Sequence, residues 1–362
     1  MAANPEHSLE ELRAAISEVD RSLVALLNKR ATLSLDVGSL KRGSAASPIF
    51  RPGREAELLK TLATCSAGPL PESHLRAIYR EILSSSRYLQ SPQRVAFLGP
   101  EGTFSHMAGR ALLGSLASFH PQHNLPMVFQ AVESGDCDIG VVPLENSLQG
   151  SVGQSFDLFM KHPLHIRTET YCRIRHSLLS RERDLASVNV VYSHPQPLAQ
   201  CANWLMRNLP RARVAPLEST AAAAHHVAEE AGAAAIAHAD LAAELGLHLL
   251  ANGMEDQPGN WTRFAVVGRN PADRPGADKT SLLFSVADKP GSLFRVLQCL
   301  ADKSINMRKL ESRPQGDNWK YIFFADLECD IFNKEYAGIL ESLEEHCLSL
   351  RVLGSYPSGR QE

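Results

Sequence analysis

Two basic residues interrupt the apolar side of a long helix predicted near the start of the chain. From Leu9 to Leu40, apolar residues recur at steps of three and four, and Arg30 occupies one position of that series. Lys41 follows eleven residues later, which places it about 16 Å further along the same helix face. Burying cations is costly unless an anion pairs with them. The pattern therefore predicts a pocket for a small di-anion. The alternative is that Arg30 reaches solvent or pairs with an acid of a partner helix.

Two shorter predicted helices supply further polar residues. A helix opening at 51–62 carries Arg54 and Glu55, and a third over 74–90 carries Ser86 and Gln90 one turn apart. Arg13 lies on a neighbouring face of the first helix. Residues 1–92 are thus predicted to form an all-α domain. Its first helix is too long to bury an apolar side within one chain, so we expect a partner chain.

The middle of the chain places polar motifs at the ends of predicted strands, where open α/β sheets bind ligands. These motifs are GPEGTFS at 99–105, PLENS at 143–147, SHPQPLAQC at 193–201, ESTAAA at 218–223 and NWTRF at 260–264. The two glycines of the first motif would let backbone N–H groups face an anion. The alternative is that they are present only because a side chain would not fit in the turn. Strands and helices alternate over 93–270, which predicts an α/β domain with mostly parallel strands.

The last part of the chain predicts a smaller domain. Over residues 279–357 the pattern reads β-α-β-β-α-β, which is typical of a ferredoxin-like fold. The loop 288–294 joins the first strand to the first helix, and the next strand ends at residues 311–314.

Composition excludes several classes of protein. With 362 residues, 44% hydrophobic residues and a net charge of −3, the chain is typical of an ordinary globular protein and not of a nucleic-acid-binding one. No apolar stretch reaches the ~20 residues that span a bilayer, and no secretory signal pattern opens the chain. Seven cysteines without a CxxC pair indicate neither a disulfide framework nor a metal site. We therefore predict a cytoplasmic protein without metal, membrane or nucleic-acid partners.

The helical segment resembles the all-helical chorismate mutase domain of bacterial bifunctional chorismate mutase/prephenate dehydratases. The resemblance lies in LRAAIS, LLNKR, VGSLK, the RPGRE segment and the terminal Ser86 and Gln90. It implies an intertwined dimer in which Arg13 crosses from the partner to bind one chorismate carboxylate, while Arg30 binds the other. Lys41 and Gln90 would meet the ether oxygen, and Arg54, Glu55 and Ser86 would position the ring and its hydroxyl. Arg51 stands where some relatives carry an acid, and it is not assigned a role.

The middle segment resembles prephenate dehydratase catalytic domains, most specifically through Thr262-Arg263-Phe264. The family domain has two α/β lobes, similar to type-2 periplasmic binding proteins, with the site in the cleft. The resemblance implies that Thr262 is catalytic and that Arg263 and Phe264 complete the triplet. The other residues implied to line the cleft are Thr103, Ser105, Glu145, Asn146, Ser193, Gln196, Ser219 and Thr220. His194 either acts directly as the acid catalyst or forms a structural hydrogen bond.

The C-terminal segment resembles the phenylalanine-binding ACT domain of such enzymes. The resemblance implies that two ACT domains pair side by side and bind L-phenylalanine between them. The implied binding residues are Gly291, Ser292 and Leu293 together with Glu311, Ser312, Arg313 and Pro314. Many relatives have alanine where Ser292 stands. The alternative is that this domain serves only in dimerisation.

Together these resemblances imply a bifunctional enzyme, forming a homodimer or a dimer of dimers. Chorismate would rearrange to prephenate, and prephenate would lose CO₂ and water to give phenylpyruvate, with feedback inhibition by L-phenylalanine. A pericyclic rearrangement needs no acid, base or cofactor, so fixed charges and orientation must supply the catalysis. We expect no cofactor in the dehydration either, with Thr262 as a positioned hydrogen-bond donor. The alternatives are a non-catalytic metabolite-binding regulator or an enzyme with only one active domain.

Overall fold

The computed structural model describes residues 8–42, 49–315 and 320–359. Three helices begin the chain: α1 (Leu9–Arg42), α2 (Pro52–Cys65) and α3 (Glu72–Gln90). The predicted long first helix is confirmed. Pro52 occupies the first turn of α2, where its fixed φ suits the helix and its missing N–H is not needed. The loop predicted between α1 and α2 falls largely on residues 43–48, outside the described residues.

The apolar side of α1 is not buried within the chain. All nine residues of the predicted apolar series are at least 43% exposed. Contact with α3 begins near Arg30. The first buried residues of α1 come after it, at Ser34 and Gly38. The two helices cross closely at Gly38, where an added Cβ would stand 2.9 Å from the Cα of Gln90. The absent side chain at this position therefore lets α3 bring Gln90 onto α1.

The first lobe of the α/β unit is a six-stranded sheet covered by helices. Its order is β2-β1-β3-β11-β5, with β4 paired to β3. The strands are β1 (Arg94–Leu98), β2 (Ser118–Gln122), β3 (Ile139–Asn146), β4 (Gly150–Ser151), β5 (His165–Arg173) and β11 (Trp261–Gly268). Its helices are α4 (Phe104–Leu113), α5 (Leu125–Ser134) and α6 (Gly153–Lys161).

The second lobe is formed by the chain between β5 and β11. Its sheet order is β10-β6-β9-β7-β8. The strands are β6 (Ser177–Ser180), β7 (Val190–Ser193), β8 (Arg213–Pro216), β9 (Ala233–Ala237) and β10 (His248–Asn252), and the helices are α7 (Pro195–Gln200), α8 (Ala202–Asn208), α9 (Thr220–Val227) and α10 (Leu241–Leu245). The alanine-rich run 220–243 forms two short helices around a strand. Within the described ranges, no helix is long and apolar enough to cross a membrane.

The prediction of mostly parallel strands is wrong. Parallel pairs join β1 to β2 and β3, and β7 to β8 and β9. The remaining strand pairs are antiparallel. They include every pair made by β5, β6, β10 and β11. The antiparallel pairs arise because the chain crosses from one lobe to the other and back. The chain leaves the first lobe after β5 and returns as β11, which inserts in reverse between β3 and β5.

The C-terminal domain has the predicted β-α-β-β-α-β order. It consists of β12 (Lys279–Ser285), α11 (Ser292–Asp302), β13 (Met307–Gln315), β14 (Lys320–Leu327), α12 (Ile339–Glu344) and β15 (Ser349–Tyr356). The sheet is antiparallel in the order β13-β14-β12-β15. The second helix is shorter than the sequence predicts, because a 3₁₀ turn at Lys334–Tyr336 precedes α12 and a left-handed Gly338 separates the two.

The C-terminal sheet packs directly on the first lobe. One face covers α11 and α12, while the other contributes Phe324, Leu353 and Tyr356 to the core of the first lobe. The rings of Phe156 and Phe324 lie 4.4 Å apart between centroids. The two units therefore share one continuous apolar core, and burial on this scale favours a fixed arrangement over a flexible tether.

The helical domain also contacts the first lobe through buried groups. Phe50 is 2% exposed and belongs to the core that contains β1 and α4. Arg167 donates to the carbonyl of Phe50 at 2.6 Å, and the guanidinium of Arg87 lies 5.6 Å from the Phe50 ring. The segment just before α2 is thus anchored to the dehydratase-like lobe.

We predict that Gly38→Ala destabilises the helical domain. The new methyl group would force α1 and α3 apart, and overpacking of this kind costs about 1–3 kcal/mol. Gly68→Ala is the matched control, since no atom lies within 4 Å of its added Cβ. Urea unfolding followed by helical circular dichroism measures both variants. Equal midpoints for Gly38→Ala and Gly68→Ala would contradict the close crossing.

Candidate active sites

Four of the predicted mutase residues come together between α1 and α3. Arg30 donates to the hydroxyl of Ser86 and, at 3.4 Å, to the carbonyl of Ile82. Lys41 Nζ donates to Gln90 Oε1 at 3.1 Å, and Gln90 Nε2 in turn donates to the Ser86 carbonyl at 3.1 Å. Ser86 and Gln90 are one helical turn apart, so one face of α3 orients both cations. The geometry supplies two positive groups and an amide on one side of a pocket.

The electrostatics of this pocket favour an anion. Burial lowers the pKa of Lys41, and the nearby charges of Arg51 and Arg54 lower it further. A cation whose pKa is lowered by other cations lies in a positive field, and a bound anion would relieve that field. This arrangement therefore fits the di-anion predicted from the sequence.

The Glu55 carboxylate is held by an arginine of α3. Its carboxylate is bound by Arg87 Nη1 at 2.5 and 2.6 Å, and Arg87 also donates to the carbonyl of Leu113. Burial raises the pKa of Glu55, although the charge of Arg87 offsets part of this effect. Arg87 was not predicted from the sequence, because its partners lie 32 and 26 residues away. Within one chain, Glu55 thus joins α2 to α3 rather than standing free for a substrate.

Three basic residues of this domain remain: Arg51 forms an ion pair, whereas Arg13 and Arg54 are exposed. Arg51, left without a role by the sequence, forms an ion pair with Asp273 at 3.1 Å. Asp273 also accepts bonds from the backbone N–H groups of Gly53 and Arg54 at 3.4 Å, so it caps α2. The side chain of Arg54 is exposed, and Arg13 lies on the uncovered part of α1. Arg54 lies near enough for its charge to lower the pKa of Lys41, whereas Arg13 is not brought to this site by the chain itself.

The second site is a cavity of about 740 Å³ between the two lobes of the α/β unit. It lies where the chain crosses between the lobes, since Ile174 and His176 of the first crossing line it. Most of the predicted cleft residues line this cavity: Thr103, Ser105, Asn146, Gln196, Ser219, Thr220, Thr262 and Phe264.

Thr262 is held in the cleft by Asn146. The two residues face each other across β11 and β3, and Asn146 Nδ2 donates to Thr262 Oγ1 at 2.9 Å. The other end of the Asn146 amide is fixed, because its Oδ1 accepts from the N–H groups of Leu148 and Gln149 at 3.1 Å. Asn260 accepts a further bond from Asn146 Nδ2 at 2.7 Å. The Thr262 hydroxyl thus accepts from Asn146, which leaves its hydrogen to be donated into the cavity.

Three residues predicted to line the cleft do not line it. Arg263 and Glu145 point to the opposite face of the sheet, since side chains alternate along a strand and their neighbours Thr262 and Asn146 face the cavity. Ser193 is fully buried and donates to the carbonyl of Ile236 at 2.7 Å. Strand alternation could have predicted the first two placements, because consecutive residues of a strand cannot share a face.

The cleft attracts anions through helix N-termini. Thr103, His194 and Ser219 cap the N-termini of α4, α7 and α9, and all three line the cavity. The positive ends of the helix dipoles therefore point towards the same space. Among the residues that the structure describes, no Lys or Arg lines the cavity. A bound anion would therefore be held by N–H and hydroxyl donors, at a distance from the carboxylate of Glu218, which also lines the cavity.

Three histidines line the cavity, His123, His176 and His194, and the last two differ in their hydrogen bonds. His194 Nδ1 accepts from the N–H of Gln196 at 3.3 Å, which is the structural role considered for it. His176, which the sequence did not single out, bonds Gln200 Oε1 through Nε2 at 2.8 Å, while its Nδ1 has no hydrogen-bond partner among the described residues. Because Nε2 donates to Gln200, Nδ1 carries the lone pair of a neutral imidazole. Burial lowers the pKa of His176.

The predicted effector residues lie on two separate parts of the C-terminal domain. Ser292 and Leu293 begin α11 after Gly291, whereas residues 311–314 belong to the edge strand β13, with β14 between β13 and β12. Glu311 bonds Ser151, and Arg313 pairs with Asp157 at 3.0 Å, so both side chains face the first lobe. Ser312 and Pro314 are exposed on the other face.

Comparisons with known proteins agree with these three units. Residues 12–91 match the family model for chorismate mutase type II, residues 95–272 match prephenate dehydratase, and residues 280–344 match the ACT domain. The chain therefore combines a mutase-type helical domain, a dehydratase-type two-lobed domain and an ACT domain.

Relatives named for both enzyme activities align with nearly the whole chain. A bifunctional chorismate mutase/prephenate dehydratase of Aquifex aeolicus is 38% identical over 354 residues, covering 96% of this chain and 98% of the relative. Among solved structures, a prephenate dehydratase from Arthrobacter aurescens in complex with L-Phe is 33% identical, with a TM-score of 0.67 over 73% of this chain and 90% of that one. GqqA, described as a novel type of quorum quenching acylase, is 30% identical, with a TM-score of 0.67 over 74% and 98%. The chain belongs to the bifunctional chorismate mutase/prephenate dehydratase family.

We predict that His176 makes the protein less stable in mild acid. Its pKa in the folded state is below the ordinary value of about 6.5, so the unfolded chain binds a proton first as the pH falls. The free energy of unfolding should therefore decrease below that pH. In His176→Gln the decrease should be shallower, by at most about 1.4 kcal/mol per pH unit.

Urea midpoints from pH 7 to pH 5 test this effect. The exposed His225 provides the matched control, and His225→Gln should retain the wild-type slope. A His176→Gln slope equal to that of the wild type would show that this imidazole is not buried in its neutral form.

Proposed function

We propose that the chain catalyses two consecutive reactions, chorismate to prephenate in residues 1–92 and prephenate to phenylpyruvate in residues 93–270. The observation that carries the proposal is the pair of preorganised polar sets, Lys41 with Gln90 in the domain that matches chorismate mutase and Thr262 with Asn146 in the domain that matches prephenate dehydratase. Family membership over 96% of the chain supports both activities together.

The mutase site suits a reaction that needs only orientation and charge. Chorismate carries two carboxylates, and its rearrangement breaks one C–O bond while it forms one C–C bond, with no proton gained or lost. Arg30 would hold a carboxylate, and Lys41 with Gln90 would bind the ether oxygen as negative charge develops on it. The free Arg54 and the Arg13 of a second copy would complete the pocket, with Ser86 and Glu55 orienting Arg30 and α3.

The dehydratase cleft suits departure of a hydroxide. Prephenate loses CO₂ from the ring carbon that bears a carboxylate, the electron pair moves through the ring, and the hydroxyl on the opposite carbon leaves. Thr262 would donate its hydrogen bond to that leaving oxygen, while Asn146 holds the threonine in place. The remaining carboxylate would lie at the helix N-termini capped by Thr103 and Ser219. No step in this scheme requires a cofactor.

The ACT domain would bind L-phenylalanine between two copies of the chain. The supporting observations are the L-Phe complex of the Arthrobacter aurescens relative and the separation of the Gly291 loop from Ser312 and Pro314 within one chain. Dimerisation is supported further by the exposed apolar side of α1, which a second copy would cover. A dimer of dimers and a cytoplasmic location stay predictions.

We predict that the two activities can be removed separately. Lys41→Ala should lower mutase turnover by at least about 10²-fold, because a charge-assisted bond to the developing negative charge is lost. Thr262→Val keeps the shape of the side chain but removes the hydroxyl, and it should lower phenylpyruvate formation by about 10²-fold or more. Each variant should retain the other activity near the wild-type rate.

Purified protein supplied with chorismate, and separately with prephenate, measures both steps. Lys29→Ala and Thr168→Val are matched controls outside the two pockets. If wild-type protein binds both compounds but converts neither, the chain is a metabolite-binding regulator. Accumulation of prephenate from chorismate by the wild type would mean that only the mutase is active.

A second prediction concerns the arginine from the partner. Arg13→Ala and Lys41→Ala homodimers should both lack mutase activity. In a heterodimer of the two variants, one pocket combines an intact Lys41 with an intact Arg13 from the other chain. Co-expression with random pairing should therefore recover about a quarter of wild-type turnover, since half of the dimers are mixed and half of their sites are intact. Failure of the mixed sample to regain activity would contradict a shared site.

A further inference from the structure

The first turn of α2 is capped by a side chain from the segment that follows β11. The residue before the helix, Arg51, has no acceptor on its side chain, and Pro52 has no N–H. The next two N–H groups, of Gly53 and Arg54, are accepted by the carboxylate of Asp273 at 3.4 Å each. These are the N–H groups that an N-terminal capping residue normally binds. Asp273 therefore supplies the cap that the residue at the start of α2 cannot provide.

The same carboxylate pairs with a cation beside the proposed mutase site. Arg51 Nε donates to Asp273 Oδ2 at 3.1 Å, and the side chain of Asp273 is only 9% exposed. The segment after Asp273 fits closely against the helix, since an added Cβ at Gly53 would overlap the carbonyl oxygen of Pro275. A buried carboxylate that accepts from one guanidinium and two backbone N–H groups is held more firmly than a surface ion pair.

These contacts bear on Lys41, the residue proposed to meet the ether oxygen. Gln90 of α3, which bonds Lys41, is neutral. Four charged groups act on Lys41, two cations that lower its pKa and two carboxylates that raise it: Arg51, Arg54, Glu55 and Asp273. All four belong to α2, to the residue before it or to the segment that caps it. Without Asp273, the charge around Lys41 would be more positive by one unit.

We propose that Asp273 is a positioning residue of the mutase, which fixes the first turn of α2 and offsets the charge of Arg51 next to Lys41. The inference rests on the proposed mutase function. Asp273 lies outside residues 12–91, which match chorismate mutase, and also outside residues 95–272, which match prephenate dehydratase. Neither match therefore assigns it a role, and its contacts with α2 are the basis of the assignment.

Two substitutions of Asp273 in the full-length chain separate the cap from the charge. Asp273→Asn keeps an oxygen that can cap the helix and removes the negative charge, whereas Asp273→Ala removes both. With chorismate, Asp273→Asn should turn over within about twofold of the wild type at pH 7 but at least about threefold more slowly at pH 9, because Lys41 then loses its proton at lower pH. Asp273→Ala should also lower kcat about tenfold at pH 7, because the first turn of α2 is no longer fixed.

Removal of the opposing cation is the sharper measurement. In the double variant Arg51→Gln/Asp273→Asn, both members of the ion pair are neutral, so the net charge around Lys41 returns to that of the wild type. The double variant should therefore regain the wild-type ratio of turnover at pH 9 to turnover at pH 7. Arg51→Gln alone should have at least the wild-type ratio. The matched control is Asp278→Asn, which changes an exposed carboxylate of the same segment that binds Ser358, and it should equal the wild type at both pH values.

Two results would overturn the inference. One is an Asp273→Asn enzyme with the wild-type ratio of turnover at the two pH values. The other is a double variant with the same loss as Asp273→Asn, which a purely structural contact would give, because removal of Arg51 cannot restore lost packing. Phenylpyruvate formation from prephenate reports whether each variant chain is folded. A wild type that does not convert chorismate would instead overturn the proposed mutase itself.

Discussion

The balance of four buried charges behind β11 constrains much of this structure. Arg263 and Lys279 can remain buried only while Glu169 and Asp326 face them, and those carboxylates come from two different domains. These contacts join β11 of the two-lobed domain to the ACT sheet. The shared apolar core around Phe156 and Phe324 adds non-directional stability, but the charge cluster also fixes register, because ionic hydrogen bonds tolerate little displacement.

The two proposed active sites obtain anion affinity by different physical means. The proposed mutase site contains side-chain cations, where burial and the charges of Arg51 and Arg54 lower the pKa of Lys41 against the opposite effect of Glu55 and Asp273, and a bound di-anion would relieve this positive field. The dehydratase cleft uses helix N-termini and neutral donors, with no Lys or Arg among its lining residues. This difference fits the reactions. The rearrangement retains both carboxylates, whereas the dehydration expels one as CO₂, and a fixed cation beside that carboxylate would stabilise the reactant.

Periodic patterns and short motifs predicted a large part of the fold, but long-range partners could not be predicted from them. The spacing of apolar residues located α1, and motif order located the cleft residues Thr262 and Asn146. The mixed direction of the sheets was missed, because nothing local shows that β11 returns to the first lobe. Arg263 and Glu145 were assigned to the wrong face because the motif was treated as a unit, although strand alternation separates neighbouring residues. The pairs of Glu55 with Arg87 and Arg51 with Asp273 join residues far apart in the sequence, and only the fold reveals them.

We infer from the shared core and the charge cluster that β11 and the ACT sheet form one folded unit. Hydrogen exchange of the full-length chain at increasing, sub-denaturing urea tests it most directly, because cooperative units lose amide protection together. We expect peptides from β11 and β14 to lose protection at the same urea concentration, while peptides from the second lobe, around β7 and β8, form a separate unit. Loss of protection in β14 at clearly lower urea, with β11 still protected, would show instead that the two strands belong to separate units.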